Sequence, residues 1–438
     1  MIDLIFFSMS FLLLSNIIIN EFISRERSYI LSYISLNLII LYVISPVVVI
    51  YLGVGFSSNF ESFNLYTYKD YIAGIVLLFS ICFYIGTVIK VSNPVLFYFY
   101  PQKNYRKLIV FIFFISICSF CSFVYIYGGI EYVLSNISRI RSGVDDNKSY
   151  IGAFLKMFSY YIELVLFYFF SLFLLNTNNK TRNFKLLFIF IFVLAFALLK
   201  SFIDGGRGGF INIFVGLIIT YFFVRKVFPK FFLLLSLPII LSVGLFGKMI
   251  AASFKSDAKV DYFSNFNSII DAVITEYSHQ VLSVGVGIET DSFGERYFFD
   301  FIAPLLKPLK LIGIDDLDSV SYYNTFIIKG EWDSEVPPGI IQFLLLQTEL
   351  YFFPFLVLLL GFFIKYIDRS IFRTLSNSNE CAQTKAFSIA SCSIFFIYFP
   401  FIILNSDLAL FVQWCFVYLL LFFTLYALNY FKLVRKLN

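Results

Sequence analysis

Arg207 stands among four glycines, in Asp204-Gly205-Gly206-Arg207-Gly208-Gly209, between two long apolar runs. Four glycines exceed what a turn needs. They let the backbone fold tightly and approach a ligand. The guanidinium fork suits two oxygens of a phosphate or diphosphate. The plainer reading is a tight turn whose arginine reaches lipid headgroups. A second stretch has the same character: Gly128-Gly129-Ile130-Glu131-Tyr132, then Ser138-Arg139-Ile140-Arg141-Ser142-Gly143. Arg139 and Arg141 share a face only if the chain is extended. Anion binding and interfacial anchoring are the two readings there.

Proton chemistry has fewer candidates. His279 is the only histidine, in Glu276-Tyr277-Ser278-His279-Gln280. Its imidazole is a natural base near neutral pH, and Glu276 would share its helical face. A structural histidine is the alternative, and one histidine makes no His-rich metal site. Arg296 could contact a diphosphate, or pair with Asp300 four residues on. Lys248, at the end of an apolar run, could snorkel or help hold phosphate. Glu163 and Glu349 fall inside apolar runs, where a carboxylate is costly and therefore functional or paired. Lys156, Tyr160 and Glu163 would lie on one face of a continuous helix, as would Gln342 and Glu349. Both stripes are expected to line an interior polar cavity, with a structural Lys–Glu pair as the competing reading. Asp316-Leu317-Asp318 has the spelling of a metal–nucleotide-sugar site but reads as solvated charge in an acidic stretch. Cys118 and Cys121 sit within an apolar run without a His or carboxylate nearby and read as small apolar side chains.

The elements that hold these residues are set by composition. The 438 residues are 60% hydrophobic and only 14% charged, with net charge +5. That is too little charge to cover soluble domains. The apolar runs are continuous and long enough for helices crossing a core of about 30 Å, and lack the alternation of barrel strands. The expected fold is all-α and polytopic, a single integral membrane domain over 1–438. Eleven spans are expected: about 4–20, 29–55, 71–90, 108–127, 151–175, 186–203, 210–224, 231–250, 339–364, 386–404 and 408–431. Alternate connections are basic, for example Lys90, Lys103, Arg106 and Lys107, then Lys365, Arg369, Arg373 and Lys385. The positive-inside rule makes these cytoplasmic, with the N-terminus outside and the C-terminus inside. The other connections face out. The largest, about 251–338 between the eighth and ninth spans, is acidic, and its amphipathic pieces Ile269–Leu282 and Arg296–Leu311 could lie on the membrane or cap a cavity. No phosphate-binding P-loop or dinucleotide fingerprint is present, which argues against a nucleotide-driven pump.

In order, these features resemble the bacterial O-antigen or capsule repeat-unit polymerases of the Wzy type. The resemblance rests on Gly128-Gly129 followed by Arg139, Arg141 and Gly143; on Gly205-Gly206-Arg207-Gly208-Gly209 running into an apolar span; on Ser278-His279-Gln280 through Pro304 and Pro308; and on Pro337-Pro338-Gly339 leading to Gln347-Thr348-Glu349-Leu350-Tyr351. It covers roughly 120–365. It implies an inner-membrane glycosyltransferase of lipopolysaccharide or polysaccharide biosynthesis, with its site facing the periplasm. The donor would be a growing glycan on undecaprenyl diphosphate and the acceptor a lipid-linked repeat unit. An acceptor hydroxyl attacks the anomeric carbon and undecaprenyl diphosphate leaves. That reaction needs no metal and no cofactor. It needs cations for the leaving diphosphate and an acceptor for the hydroxyl proton. Arg207, with Arg139, Arg141, Arg296 and Lys248, is assigned to diphosphate. His279 and Glu276 are assigned to proton transfer. Glu163, Glu349, Tyr160 and Gln342 are assigned to the cavity. Membrane lipids and a chain-length regulator are the expected partners, and nucleic acid is not.

Two other functions fit parts of this pattern. An O-antigen ligase would use the same donor with a different acceptor. A flippase for the lipid-linked unit would more often show internal repeats, and none is found.

Overall fold

The computed structural model describes residues 1–24, 28–53, 63, 65–92, 94–101, 103–136, 140, 150–176, 180–203, 207–227, 266–306, 320–330, 336–376, 381–406 and 408–434. In chain order the helices are α1 (Ile2–Ile23), α2 (Ile30–Leu52), α3 (Leu65–Val88), α4 (Tyr105–Ile126), α5 (Ile130–Ser135), α6 (Tyr150–Phe158), α7 (Tyr161–Leu175), α8 (Lys180–Ile203), α9 (Arg207–Arg225), α10 (Phe266–Glu289), α11 (Phe299–Leu306), α12 (Val320–Lys329), α13 (Gly339–Gln347), α14 (Phe353–Ser376), α15 (Ala382–Asn405) and α16 (Leu408–Ala427). Two short strands, β1 (Leu96–Phe99) and β2 (Phe431–Val434), pair antiparallel.

Among the described residues, seven helices are long and apolar enough to cross a membrane: α1, α2, α3, α4, the run Phe154–Leu175, the run Asn183–Ile203, and α15. Shorter apolar helices cover Gly209–Arg225 and Cys415–Ala427. The expected span at 231–250 lies outside the described residues. Among the described residues, these seven long apolar helices and two shorter ones fall on the expected spans.

The helices form two packed groups. In one, α1, α2, α3 and α14 share a core with α10, α12 and α13. In the other, α4 packs with α6, α7 and α8, and α16 joins them. α9 and α15 contribute to both cores.

Polar ties fix the first group at its two ends. At one end Asp3 accepts from the Tyr51 hydroxyl at 2.6 Å, with Lys69 at 3.9 Å. At the other, Arg369 reaches Glu21 at 3.3 Å, and Lys365 donates to the Thr87 carbonyl. Asp368, 0% exposed, accepts from Ser28 Oγ at 2.7 Å, Ile30 N at 3.1 Å and Ser28 N at 3.4 Å. It thereby caps α2 from a distant helix, with its charge at the positive end of the helix dipole. Asp368→Ala would strand these donors in the interior. It is expected to cost about 2–4 kcal/mol, read as a lowered unfolding temperature of the detergent-solubilised protein.

Several segments expected to be cytoplasmic meet at one place. β1 pairs with β2, Phe97 N donates to Thr374 Oγ1 at 3.1 Å, Val95 N to the Tyr366 hydroxyl at 3.0 Å, and Lys103 Nζ to the Leu428 carbonyl at 3.0 Å.

Three local expectations are corrected. The run 339–364 is not one helix. α13 ends at Gln347, Thr348 is extended (φ −145°, ψ 155°), and α14 starts at Phe353 with Pro354 in its first turn. Proline fits a first turn because it lacks a donor needed only further along the helix. The continuous helix through Lys156, Tyr160 and Glu163 also breaks, at Ser159-Tyr160. The bonds there tighten to three-residue spacing, and Ser116 Oγ donates to the Ser159 carbonyl at 2.8 Å. Finally, the stretch 251–338 carries a helix inside the body. α10 packs on α3, α12, α13 and the end of α2, and is buried from Ser278 to Gly287 except at His279. The end of the amphipathic piece Ile269–Leu282 is thus buried in the body, at Ser278 and from Gln280 onward.

Candidate functional site

A small apolar cluster lies at the ends of α4, α5 and α8. Phe120, Phe123 and Tyr127 from the end of α4, Val133 of α5 and Ile203 of α8 are buried against one another. Ile140 packs on the same cluster. Ile140 is flanked by Arg139 and Arg141, and Ile203 ends the helix that precedes the Arg207 hairpin. Arg207 is the first residue of α9. Gly209 lets α9 lie against α8: a Cβ there would come within 2.9 Å of Ser201 Oγ. Arg139, Arg141, Lys248 and the side chains of Arg207 and Glu276 lie outside the described residues.

Buried charge lines the adjoining helix ends. Lys200 is 1% exposed, and its ammonium lies 3.3 Å from the centroid of the Tyr160 ring. Glu163, also 1% exposed, accepts from the Tyr398 hydroxyl at 2.8 Å. The Tyr398 and Tyr418 rings sit 5.5 Å apart, and Tyr161 donates to the Val417 carbonyl at 2.8 Å. Lys156 lies over Phe123, 5.3 Å from its centroid. The tightened turn at Ser159-Tyr160 aims Tyr160 at α8 and Glu163 at α15. Sequence reading missed Lys200. The signal was present, a lysine inside an apolar run, where a charge is as costly as that of Glu163.

Other expected site residues fall elsewhere. His279 is half-buried on α10, and its carbonyl accepts from Ser283 Oγ at 2.8 Å. The next residue, Gln280, donates to the Leu404 carbonyl at 3.3 Å. α10 belongs to the first core, and no described α10 residue joins the cluster around Ile140 and Ile203. Arg296 takes the pairing reading. It grips Asp300 with two bonds, Nε at 3.0 Å and a terminal nitrogen at 2.6 Å, and lies 4.8 Å from the centroids of both Phe299 and Tyr323. Gln347 adds a 2.7 Å bond to Asp300. Tyr323 donates to Glu295, and burial followed by this bond pushes its phenol up to about 12. It stays a donor at neutral pH. Gln342 is buried with its amide against Gly287, whereas Glu349 is exposed in the break between α13 and α14. These two do not share a helical face, so the expected Gln342–Glu349 stripe is not formed.

The long apolar helices define a helical membrane protein, with Lys200 and Glu163 buried within it. No family model matches the chain, and no curated protein or solved structure does either.

Proposed function

We propose that this chain is a polysaccharide polymerase, moving a growing glycan from undecaprenyl diphosphate onto a lipid-linked repeat unit at the outer face of the bacterial inner membrane. What supports this reading is the shared packing of Ile140 and Ile203, the sequence neighbours of Arg139, Arg141 and the Arg207 motif. Guanidinium groups at a membrane surface would suit a lipid diphosphate that must leave with its charge stabilised. The acceptor hydroxyl must lose a proton. We assign that proton to Glu163, the buried carboxylate that faces Tyr398, rather than to His279 with Glu276. Arg139, Arg141 and Arg207 are assigned to the diphosphate, and Arg296, committed to Asp300, is not.

The test is deletion of the gene in its host, with surface glycolipid run on a gel. Collapse of the ladder to core plus one repeat supports the polymerase. Core with no repeat points to the ligase or flippase reading, and an unchanged ladder argues against an O-antigen role. Within the polymerase reading, Glu163→Gln is expected to slow turnover by about 10²–10⁴. His279→Ala is expected to change it by less than about tenfold, since the base contribution lies elsewhere. Rates reversed between these two variants would move the base to α10.

A further inference from the structure

We propose that the groove between the starts of α4 and α15 binds a phospholipid with a net negative headgroup, drawn from the leaflet on the side where α4 begins. Tyr105 of α4 stacks on Phe387 of α15, their ring centroids 4.8 Å apart, and holds the two helix starts side by side. The groove has a volume of about 650 Å³. That lies within the ~300–1,000 Å³ of clefts that hold small molecules. One part of its lining is polar: Arg106 and Lys107 in the first turn of α4, with the amide side chains of Asn104 and Gln383. The rest is apolar: Val110, Phe111 and Phe114, which follow Lys107 at helical spacing and share its face. Phe111 and Phe114 are 64% and 60% exposed, on a helix long and apolar enough to cross a membrane. A ligand that matches this lining is anionic at one end and apolar along the rest.

The charge calls for a net anion. Among the described residues, the side chains of Arg106 and Lys107 have no hydrogen bond, ion pair or ring contact. No carboxylate lines the groove, and the first turn of α4 holds no acid. Two cations at that end work against the helix dipole, so they are not there for the helix's own stability. Lys103, on the same connection, is already engaged: its ammonium donates to the Leu428 carbonyl at 3.0 Å and lies 4.9 Å from the centroid of the Tyr430 ring. Arg106 offers a planar fork for two phosphate oxygens, and Lys107 a compact charge for a third. A zwitterionic headgroup brings its own ammonium, which opposes this pair. An anionic headgroup brings none, while its acyl chain runs over Val110, Phe111 and Phe114.

The test uses the full chain in detergent, with lipid binding to the folded fraction read by native mass spectrometry. The probes are phosphatidylglycerol, phosphatidylcholine with the same acyl chains, and glycerophosphoglycerol, the anionic headgroup without chains. Wild type is expected to bind phosphatidylglycerol about tenfold or more tighter than phosphatidylcholine, and to retain no glycerophosphoglycerol. Arg106→Gln with Lys107→Gln is expected to bring the two lipids level, each cation contributing about fivefold. If the double variant yields no folded protein, each single variant carries the test with its own fivefold loss. Phe114→Ser is expected to weaken both lipids alike, because it meets the chain and not the charge. Lys103→Gln is expected to leave the preference as in wild type. Equal affinity of wild type for the two lipids, or a preference that survives the double variant, would overturn the proposal. An equal loss from Lys103→Gln would trace the preference to general basic charge and overturn it as well. Glycerophosphoglycerol bound as tightly as the lipid would make the ligand a free phosphate ester and remove the acyl chain from the groove.

Discussion

Arg207→Ala is expected to abolish glycan polymerisation while the protein accumulates in the membrane at its normal level. Arg207 opens α9 directly after a pair of glycines, in the hairpin that Gly209 seats against Ser201. The expectation is that removing the side chain leaves the fold in place and, on the proposed reading, takes a guanidinium from the departing diphosphate. Loss of one such group costs about 10²–10³ in rate, enough to erase a ladder. Arg207→Lys keeps a point charge without the fork and is expected to retain short chains only. The measurement is the ladder pattern from a complemented deletion strain, with membrane protein level beside it. A full ladder from the Ala variant would remove the centre of the proposed site.

The second large effect is structural. α3 and α14 cross so closely that a Cβ on Gly86 would fall on the Leu358 carbonyl oxygen, with Phe362 N at 3.0 Å and Gly361 Cα at 3.1 Å. All three obstacles are backbone, which cannot swing aside. Gly86→Leu must therefore push the helices apart along the contact that Phe79 and Phe353 share, their rings 6.4 Å apart. A loss of about 3 kcal/mol or more is expected, from overpacking with no relief. Gly74 on the same helix is the control, because the nearest atom to its added Cβ is a Phe6 ring carbon at 3.9 Å. Gly74→Ala is expected to stay near wild type. Unfolding temperatures of both variants in one detergent decide the matter, and equal values would refute the close crossing.

Much of this architecture was legible because lipid reads composition directly. Long apolar runs became α1 through α4 and α15 at nearly the expected bounds. The Gly-rich motif fell between two such runs, and helices α8 and α9 flank it. Three features were not legible, for reasons of physics. α10 carries Asp271, Glu276, His279 and Gln280, so it reads as too polar to be embedded. It is buried by other helices rather than by lipid, and composition is a measure of lipid contact alone. The break after Gln347 was hidden because membrane helices tolerate proline, so Pro354 within an apolar run marks no boundary, although it sits in the first turn of a new helix. The contact between Lys200 and Tyr160 was hidden because it depends on a turn at Ser159 that no periodicity marks.

The two-stranded pairing has a consequence for biogenesis. Leu96 lies opposite Val434 and Phe99 opposite Phe431, so a segment translated early finds its partner only after α16 has been threaded into the bilayer. Until then β1 presents an open edge, the kind of surface that invites wrong pairing. Closure of this ribbon is thus a late checkpoint of assembly, and a chain interrupted before Phe431 would leave the insertion machinery with its first hundred residues still unlatched from its last helix.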